Sequence, residues 1–138
     1  MQKLSLAVLL LTGALAGVAV ASPARDAILK SYADQAKADD ASFAGFSAAR
    51  GKEFFLSQHK GESADITSCT SCHGEDARKA GQTRAGKSID PMAVSFTPER
   101  FTDPAKVEKW FGRNCKSVLG RECTAWEKGD FITYLSGL

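Results

Sequence analysis

The chain has 138 residues, and its 18 lysines and arginines stand against 16 aspartates and glutamates, which gives a formal net charge of +2. A charge this close to zero argues against a nucleic-acid binder, because such proteins need an extended basic surface. The length is sufficient for one domain with a modest hydrophobic core.

The first residues have the layout of a cleavable export signal. A basic start containing Lys3 precedes an apolar run over residues 4–20, and small residues just before Ser22 form a signal-peptidase site. The run is long enough to span a membrane, but no stop-transfer flank follows it. We therefore predict a signal peptide over residues 1–21, export to the periplasm, and a mature domain over residues 22–138.

The segment CTSCH over residues 69–73 is the C-x-x-C-H pattern of covalent c-type haem attachment. In that chemistry Cys69 and Cys72 form thioethers with the haem vinyl groups, and His73 ligates the iron from the proximal side. A thioredoxin-like site would need a strand-rich context that the sequence lacks, and a zinc site would need a second, closely spaced ligand pair. Since c-type haem is attached after export, signal and motif agree, and one covalent haem c is the predicted cofactor.

The two remaining cysteines, Cys115 and Cys123, lie eight residues apart. In an oxidising compartment such a pair is expected to form a disulfide, and Gly120 gives the segment between them freedom to turn. Closing a loop of this size stabilises a domain by about 2–3 kcal/mol on the chain-entropy model. The bond is either a staple of a small domain or has a local role beside Asn114, and the sequence leaves both open.

The rest of the chain predicts an all-α fold of about four helices and loops around the haem. The predicted helices cover residues 25–37, 42–58, 103–115 and a last stretch from 124 towards 137. Asp103 followed by Pro104 is an N-cap with proline at the first helical position, and Thr124 with Glu127 forms a capping box. The first helix is an N-terminal extension of the haem domain.

This arrangement resembles the monohaem cytochrome c fold. Gly51 and Phe55 are similar to the glycine and the aromatic residue with which the first core helix of that fold crosses the last, and Tyr134 and Leu135 would form the matching face. The chain departs from the pattern in one respect. The haem motif begins 18 residues after Gly51, with a polar insertion over residues 59–66 between them.

The sixth iron position separates the possible functions. Electron-transfer cytochromes place methionine there, because a thioether raises the reduction potential. Met92 is the only methionine in the predicted mature domain, but it follows His73 by only 19 residues, so we expect it to be a packing residue. His59 lies among polar residues and is expected to be a solvent-facing loop imidazole. Permanent ligation by Met92, in a plain electron carrier, remains the alternative.

Helical periodicity places Asn114 on the same face as Val107, Trp110 and Phe111, so we expect its carboxamide on an apolar face of the third helix. An asparagine in such a place is usually a hydrogen-bonded core residue or a helix cap. The residues alone therefore do not make Asn114 an iron ligand.

The segment MAVSFTPERFTDPAKVEKWFGRNC, with the haem motif before it and another cysteine after it, closely resembles the sphaeroides haem protein family of c-type cytochromes. The resemblance extends from Phe43 to the C-terminus. It implies a cytochrome c-like fold in which His73 is the proximal ligand and Asn114 a labile distal ligand. In that family the asparagine leaves on reduction, so that a small molecule such as oxygen or nitric oxide binds. The resemblance also implies the Cys115–Cys123 disulfide and a dihaem cytochrome c as the electron partner.

A carboxamide oxygen is a hard and weak donor, so it suits ferric iron better than ferrous iron and should be lost on reduction. Redox-gated binding of a diatomic ligand is therefore the predicted function, ahead of plain electron transfer. An enzyme acting on oxygen, peroxide or nitric oxide is the third possibility. It would need distal acid–base groups, for which Arg113 and Arg121 are the nearby candidates.

Residues 78–87 follow the haem motif with four cations and no acidic residue. These cations, Arg78, Lys79, Arg84 and Lys87, either form a positive rim that steers an acidic redox partner or belong to a solvated basic loop.

Overall fold

A computed structural model describes residues 21–62 and 64–138, which form five helices and one short hairpin. In chain order these are α1 (Pro23–Asp39), α2 (Ala48–Leu56), α3 (Thr70–His73), β1 (Gly81–Gln82), β2 (Ser88–Ile89), α4 (Pro104–Leu119) and α5 (Ala125–Ser136). The predicted all-α fold is confirmed. The two strands form an antiparallel pair too short to show an alternating sequence pattern. The predicted export signal lies outside the described residues, apart from Ala21.

No helix between residue 21 and the C-terminus, Ser63 aside, is long and apolar enough to cross a membrane.

Helices α2 and α5 cross at backbone contact. A Cβ atom added to Gly51 would overlap the carbonyl oxygen of Asp130 and lie 2.8 Å from the Cβ atom of Tyr134, so only glycine fits there. Phe55, one turn later, is fully buried, and its ring centroid lies 5.9 Å from that of Tyr134. The predicted crossing of the first core helix over the last is confirmed.

A buried carboxylate fixes the beginning of α2 against α5. Asp130 is 4% exposed and accepts hydrogen bonds from the backbone N–H of Ser47, at 2.6 Å, and from the guanidinium of Arg50, at 2.6 and 2.9 Å. Ser47 is the N-cap of α2, and its side chain accepts from the N–H of Arg50. The buried charge is thus paired and hydrogen-bonded, as buried charges generally require.

The predicted second helix over residues 42–58 is wrong in its first turns, because α2 begins only at Ala48. The side chain of Asp40 accepts from the N–H of Ser42 at 2.8 Å, which is a local turn that competes with helix formation. Gly45 then has a φ of 122°, which ends any helical continuation. Phe43 packs edge-on against Trp126 of α5, with ring centroids 5.1 Å apart.

Helix α1 packs on the core through Ile28, Tyr32 and Ala36, all of which are buried. Arg25 is also buried, and its guanidinium donates to the carbonyl oxygens of Pro98, at 2.8 Å, and of Arg100, at 3.0 and 3.2 Å. Hydrophobic periodicity could not identify this arginine as an interior residue. The N-terminal extension therefore anchors the loop that precedes α4.

Helix α4 begins where the sequence predicted, with the side chain of Asp103 accepting from the N–H of Lys106 at 3.1 Å. It continues to Leu119, four residues beyond the predicted end at Cys115, and stops at Gly120, whose φ of 70° lies in the left-handed region. On its side facing α1 and α5, Glu108 accepts from the hydroxyl of Tyr32 and, at 2.8 Å, from the ammonium of Lys128.

Candidate functional site

The C-x-x-C-H motif forms the single turn α3, which is tied to α2 by a buried serine. Ser68 is 1% exposed, and its hydroxyl accepts from the N–H of Thr70 at 3.1 Å and donates to the carbonyl oxygen of Phe55 at 3.4 Å. The N–H of His73 donates to the carbonyl oxygen of Cys69 at 3.1 Å. The motif therefore sits on the helix that carries the α2–α5 crossing.

The two cysteines and the histidine of this turn are free of other covalent bonds. Cys69 and Cys72 are half-buried free thiols, and burial raises the pKa of Cys69 to about 11. Burial, together with the charge of Arg100, lowers the pKa of His73 to about 4, so the imidazole is neutral and able to ligate a metal. Within the described residues, the buried Nδ1 of His73 has no hydrogen-bond partner. Two free thiols followed by a neutral imidazole fit a haem c held by Cys69, Cys72 and His73.

The β1–β2 hairpin covers the motif closely. A Cβ atom on Gly81 would overlap the carbonyl oxygen of Cys72 and lie 2.9 Å from the Cα atom of His73, so no larger residue fits at this position. The basic stretch over residues 78–87 is exposed on and around this hairpin, apart from its half-buried Gly81 and Thr83. Its charge is partly neutralised, since Arg84 lies 3.2 Å from Asp65 and Arg78 lies 3.9 Å from Asp76.

Met92 is 7% exposed and belongs to the hydrophobic core. The next residue, Ala93, donates its N–H to the carbonyl oxygen of Ala77 at 2.9 Å, and the N–H of Val94 donates to that of Leu135 at 3.0 Å. Since Ala77 follows His73 by four residues, this segment is held beside the turn that carries the proximal histidine. The position supports the expectation that Met92 is a packing residue.

His59 is more enclosed than the expected solvent-facing imidazole. The Nε2 atom of the imidazole lies 2.8 Å from the hydroxyl of Ser57, and the ring centroid lies 5.8 Å from that of Phe54. The backbone N–H of His59 donates to the carbonyl oxygen of Thr67 at 2.6 Å. These contacts hold the imidazole within the loop after α2.

The expectation that Asn114 lies on a buried apolar face is wrong. The buried strip of α4 is formed by Val107, Phe111, Cys115 and Val118. Asn114 is exposed, and so is Trp110, one turn before it, with 51% of its surface accessible. Both residues lie at the edge of the strip. Periodicity gives the approximate face of a helix that is buried, but it does not tell whether residues at the edge of that face are buried or exposed. The carboxamide is therefore accessible rather than held in the core.

The predicted disulfide is present, with the Cα atoms of Cys115 and Cys123 5.6 Å apart. Both residues are buried, and the bond joins the last turns of α4 to the beginning of α5. The residue directly before the bond is Asn114, so the disulfide restrains the helix turn that carries this side chain.

Gly61, in the polar insertion, packs against the same end of α4, which the sequence did not reveal. A Cβ atom on Gly61 would overlap the backbone of Ser117 and Val118, and Gly120 lies close by, since its own Cβ atom would be 3.8 Å from the Cα atom of Gly61. Gly61 and Gly120 allow this close approach, and these two glycines were the feature of the sequence that could have indicated it. The insertion thus links the segment that leads to Cys69 with the helix that carries Asn114.

The two arginines considered for acid–base chemistry have other contacts. Arg121 donates to both carboxylate oxygens of Glu127, at 2.8 and 2.6 Å, within the turn that opens α5. Arg113 lies over the ring of Trp110, with its guanidinium carbon 5.4 Å from the centroid. Arg121 is therefore engaged in a structural ion pair.

Residues 41–135 match the family described as a domain of unknown function, DUF1924. The cytochrome c-type protein SHP of Cereibacter sphaeroides is 49% identical over 131 residues, which are 93% of this chain and 95% of that protein. The structure of oxidized SHP, described as an oxygen-binding cytochrome c, matches with a TM-score of 0.74 and covers 80% of this chain and 94% of its own.

A second relative is cytochrome c'' of Methylophilus methylotrophus, which is 40% identical over 86 residues, or 62% of this chain and 60% of that protein. The crystal structure of its oxidized form has a TM-score of 0.72 at 33% identity and covers 81% of this chain and 92% of its own. A solution structure of the same protein, described in connection with haem-ligand detachment, has the same TM-score and identity.

Proposed function

The chain belongs to the DUF1924 family and is 49% identical to SHP, a cytochrome c-type protein, and from this likeness we propose that it is an exported cytochrome with one covalent haem. Cys69 and Cys72 would hold the haem through thioethers, and His73 would be the proximal ligand. The chain would act in the periplasm, after cleavage before Ser22, and would receive electrons from a redox partner, for which a dihaem cytochrome c is our candidate.

A bound haem would supply a reducible iron. His73 would ligate it in both oxidation states. Asn114 would be a second ligand in the ferric state and leave on reduction, so that a small diatomic ligand such as oxygen or nitric oxide could bind. SHP is described as oxygen-binding, which makes oxygen the first ligand to examine.

The observation that carries this proposal is the contrast between Met92 and Asn114. Met92 is buried, and its neighbours Ala93 and Val94 are hydrogen-bonded to the His73 side of the fold and to α5. The carboxamide of Asn114 is exposed on a helix whose end is restrained by a disulfide. A weak donor on a helix end that a disulfide restrains fits a ligand that binds one oxidation state and is released in the other.

The released side chain has a second use. Its amide carries two N–H donors, which can hydrogen-bond a polar ligand that has entered the site. The Cys115–Cys123 disulfide keeps this turn of α4 in place, so the donor stays near the position that it has left.

The test compares Asn114→Ala with Met92→Leu in the haem-loaded protein, because the leucine conserves most of the buried volume. Asn114→Ala should raise the reduction potential, by roughly 60 mV for each 1.4 kcal/mol of lost preference for ferric iron. It should also change the ferric absorption spectrum and speed the binding of azide to the ferric protein. Met92→Leu should leave the spectrum and the potential close to those of the unaltered protein.

The opposite pattern would reject the proposal. If Asn114→Ala has no effect on the ferric spectrum and potential while Met92→Leu changes both, the protein is a plain electron carrier with methionine ligation.

A further inference from the structure

Four cations lie along one side of α4: Lys106, Lys109, Arg113 and Lys116. Their spacings of three, four and three residues place them in a line along the helix, because residues three and four apart are neighbours on a helix surface. All four side chains are exposed. We call this line the α4 cation stripe.

The stripe has no local neutralisation. Within the part of the chain that the structure describes, none of its four side chains takes part in an ion pair. The only acidic residue three or four positions from any of them is Asp103, whose carboxylate caps the helix. Like charges at these spacings weaken a helix, so the stripe does not serve the stability of α4.

We propose that the α4 cation stripe is the docking face for an acidic surface of the protein that delivers electrons to this cytochrome. The proposal rests on the proposed function in assuming a protein electron donor. The stripe extends over the eleven residues 106–116, or about 15 Å of helix, which suits a protein surface and is too long for one small anion. The stripe lies on the solvent side of α4, the helix that also carries the candidate distal ligand Asn114.

The stripe is a better candidate than the basic stretch over residues 78–87, which the sequence brings to notice first. In that stretch Arg84 forms an ion pair with Asp65, and Arg78 lies 3.9 Å from Asp76. These carboxylates reduce the positive electrostatic field of the stretch. Complementary charge accelerates association only where it is not locally compensated. The two surfaces can therefore be tested against each other.

The experiment measures the bimolecular rate at which reduced flavodoxin, used as a defined acidic donor, reduces the haem-loaded protein in a stopped-flow instrument. Lys109→Gln combined with Lys116→Gln removes two charges from the stripe. Lys79→Gln combined with Lys87→Gln removes the same charge from the hairpin region and is the matched control. None of the four residues belongs to the candidate haem site.

We expect the stripe variant to lose about tenfold in rate at low ionic strength, while the hairpin variant changes by less than about twofold. At high ionic strength the rates of all three proteins should converge, because salt screens exposed charges. Reduction by the cationic reagent hexaammineruthenium(II) should be no slower in either variant, which shows that the haem itself is unaffected.

The proposal is overturned if the hairpin variant loses as much as the stripe variant or more, or if the stripe variant keeps its rate at low ionic strength. Neither result depends on whether Asn114 ligates iron. The ligand proposal is decided separately, by the ferric spectrum and the potential of Asn114→Ala.

Discussion

Helices α2 and α5 meet at backbone contact, whereas α4 meets the core along a narrow strip and leaves most of its surface exposed. At the α2–α5 crossing, Phe55, Ile132 and Leu135 have no measurable exposure, and Gly51 is in backbone contact with Asp130. On α4, the turn that carries Trp110 and Asn114 is accessible. Close packing stabilises the crossing, whereas α4 is attached by its buried strip and by a few specific contacts, called ties below.

Besides its buried strip, α4 has two ties to the rest of the chain. One is the Cys115–Cys123 disulfide, and the other is the pair of hydrogen bonds that Glu108 accepts from Tyr32 and Lys128. The crossing therefore depends on close backbone contact, whereas α4 depends on its buried strip and on these two ties.

The largest effect is expected from a methyl group at the crossing. In Gly51→Ala the new Cβ atom would overlap the carbonyl oxygen of Asp130, so the two helices must separate, at a cost of about 3 kcal/mol or more. The free energy of unfolding from denaturant titration measures this loss.

Gly112→Ala is the matched control on α4. Its Cβ atom would meet nothing within 4 Å, so the change should stabilise the protein by up to about 1 kcal/mol through helix propensity. Equal effects at the two glycines would contradict the distinction between the two regions.

The next effect concerns the covalent tie. Replacing both Cys115 and Cys123 by serine should cost about 2–3 kcal/mol of stability, since the closed loop is short. Hydrogen exchange should accelerate first in the last turns of α4 and remain slow in α2. Uniform acceleration in both helices would show that the disulfide supports the whole domain rather than α4.

The sequence predicted the features that depend on local chemistry. The helix starts at Asp103 and Thr124 follow from capping patterns, because each requires a particular residue type at a fixed spacing. The disulfide was expected from the two cysteines left over in an oxidising compartment, and the crossing at Gly51 from the resemblance to the cytochrome c fold. The C-x-x-C-H motif likewise led to the candidate haem site.

Features that depend on how distant segments meet were not predictable. The late start of α2 follows from the turn at Asp40 together with the packing of Phe43 on α5. The exposure of Asn114 depends on which side of α4 faces the core, and the packing of Gly61 against this helix depends on the path of the insertion. Hydrophobic periodicity indicates the approximate buried face of a helix, but it does not identify the segment that packs on that face.

The smallest predicted effect concerns the second tie of α4 and has a defined pH dependence. Burial alone would raise the pKa of Glu108, but hydrogen bonds from Lys128 and Tyr32 and the charge of Lys128 outweigh it, and the pKa is lowered. A carboxyl group with a lowered pKa contributes stability above its unfolded pKa, and this contribution is lost as the pH falls through the folded value.

Glu108→Gln should therefore cost about 0.5–1 kcal/mol at pH 7, a range typical of a partly exposed ion pair. The difference from the unaltered protein should shrink below about pH 4, where the carboxylate of the unfolded chain is protonated. Unfolding titrations between pH 3 and pH 7 measure it, and Tyr32→Phe, which removes one donor and keeps the ring, should show a smaller loss. A difference that stays constant across this range would mean that Glu108 acts through packing, and that the disulfide is the main tie that holds α4.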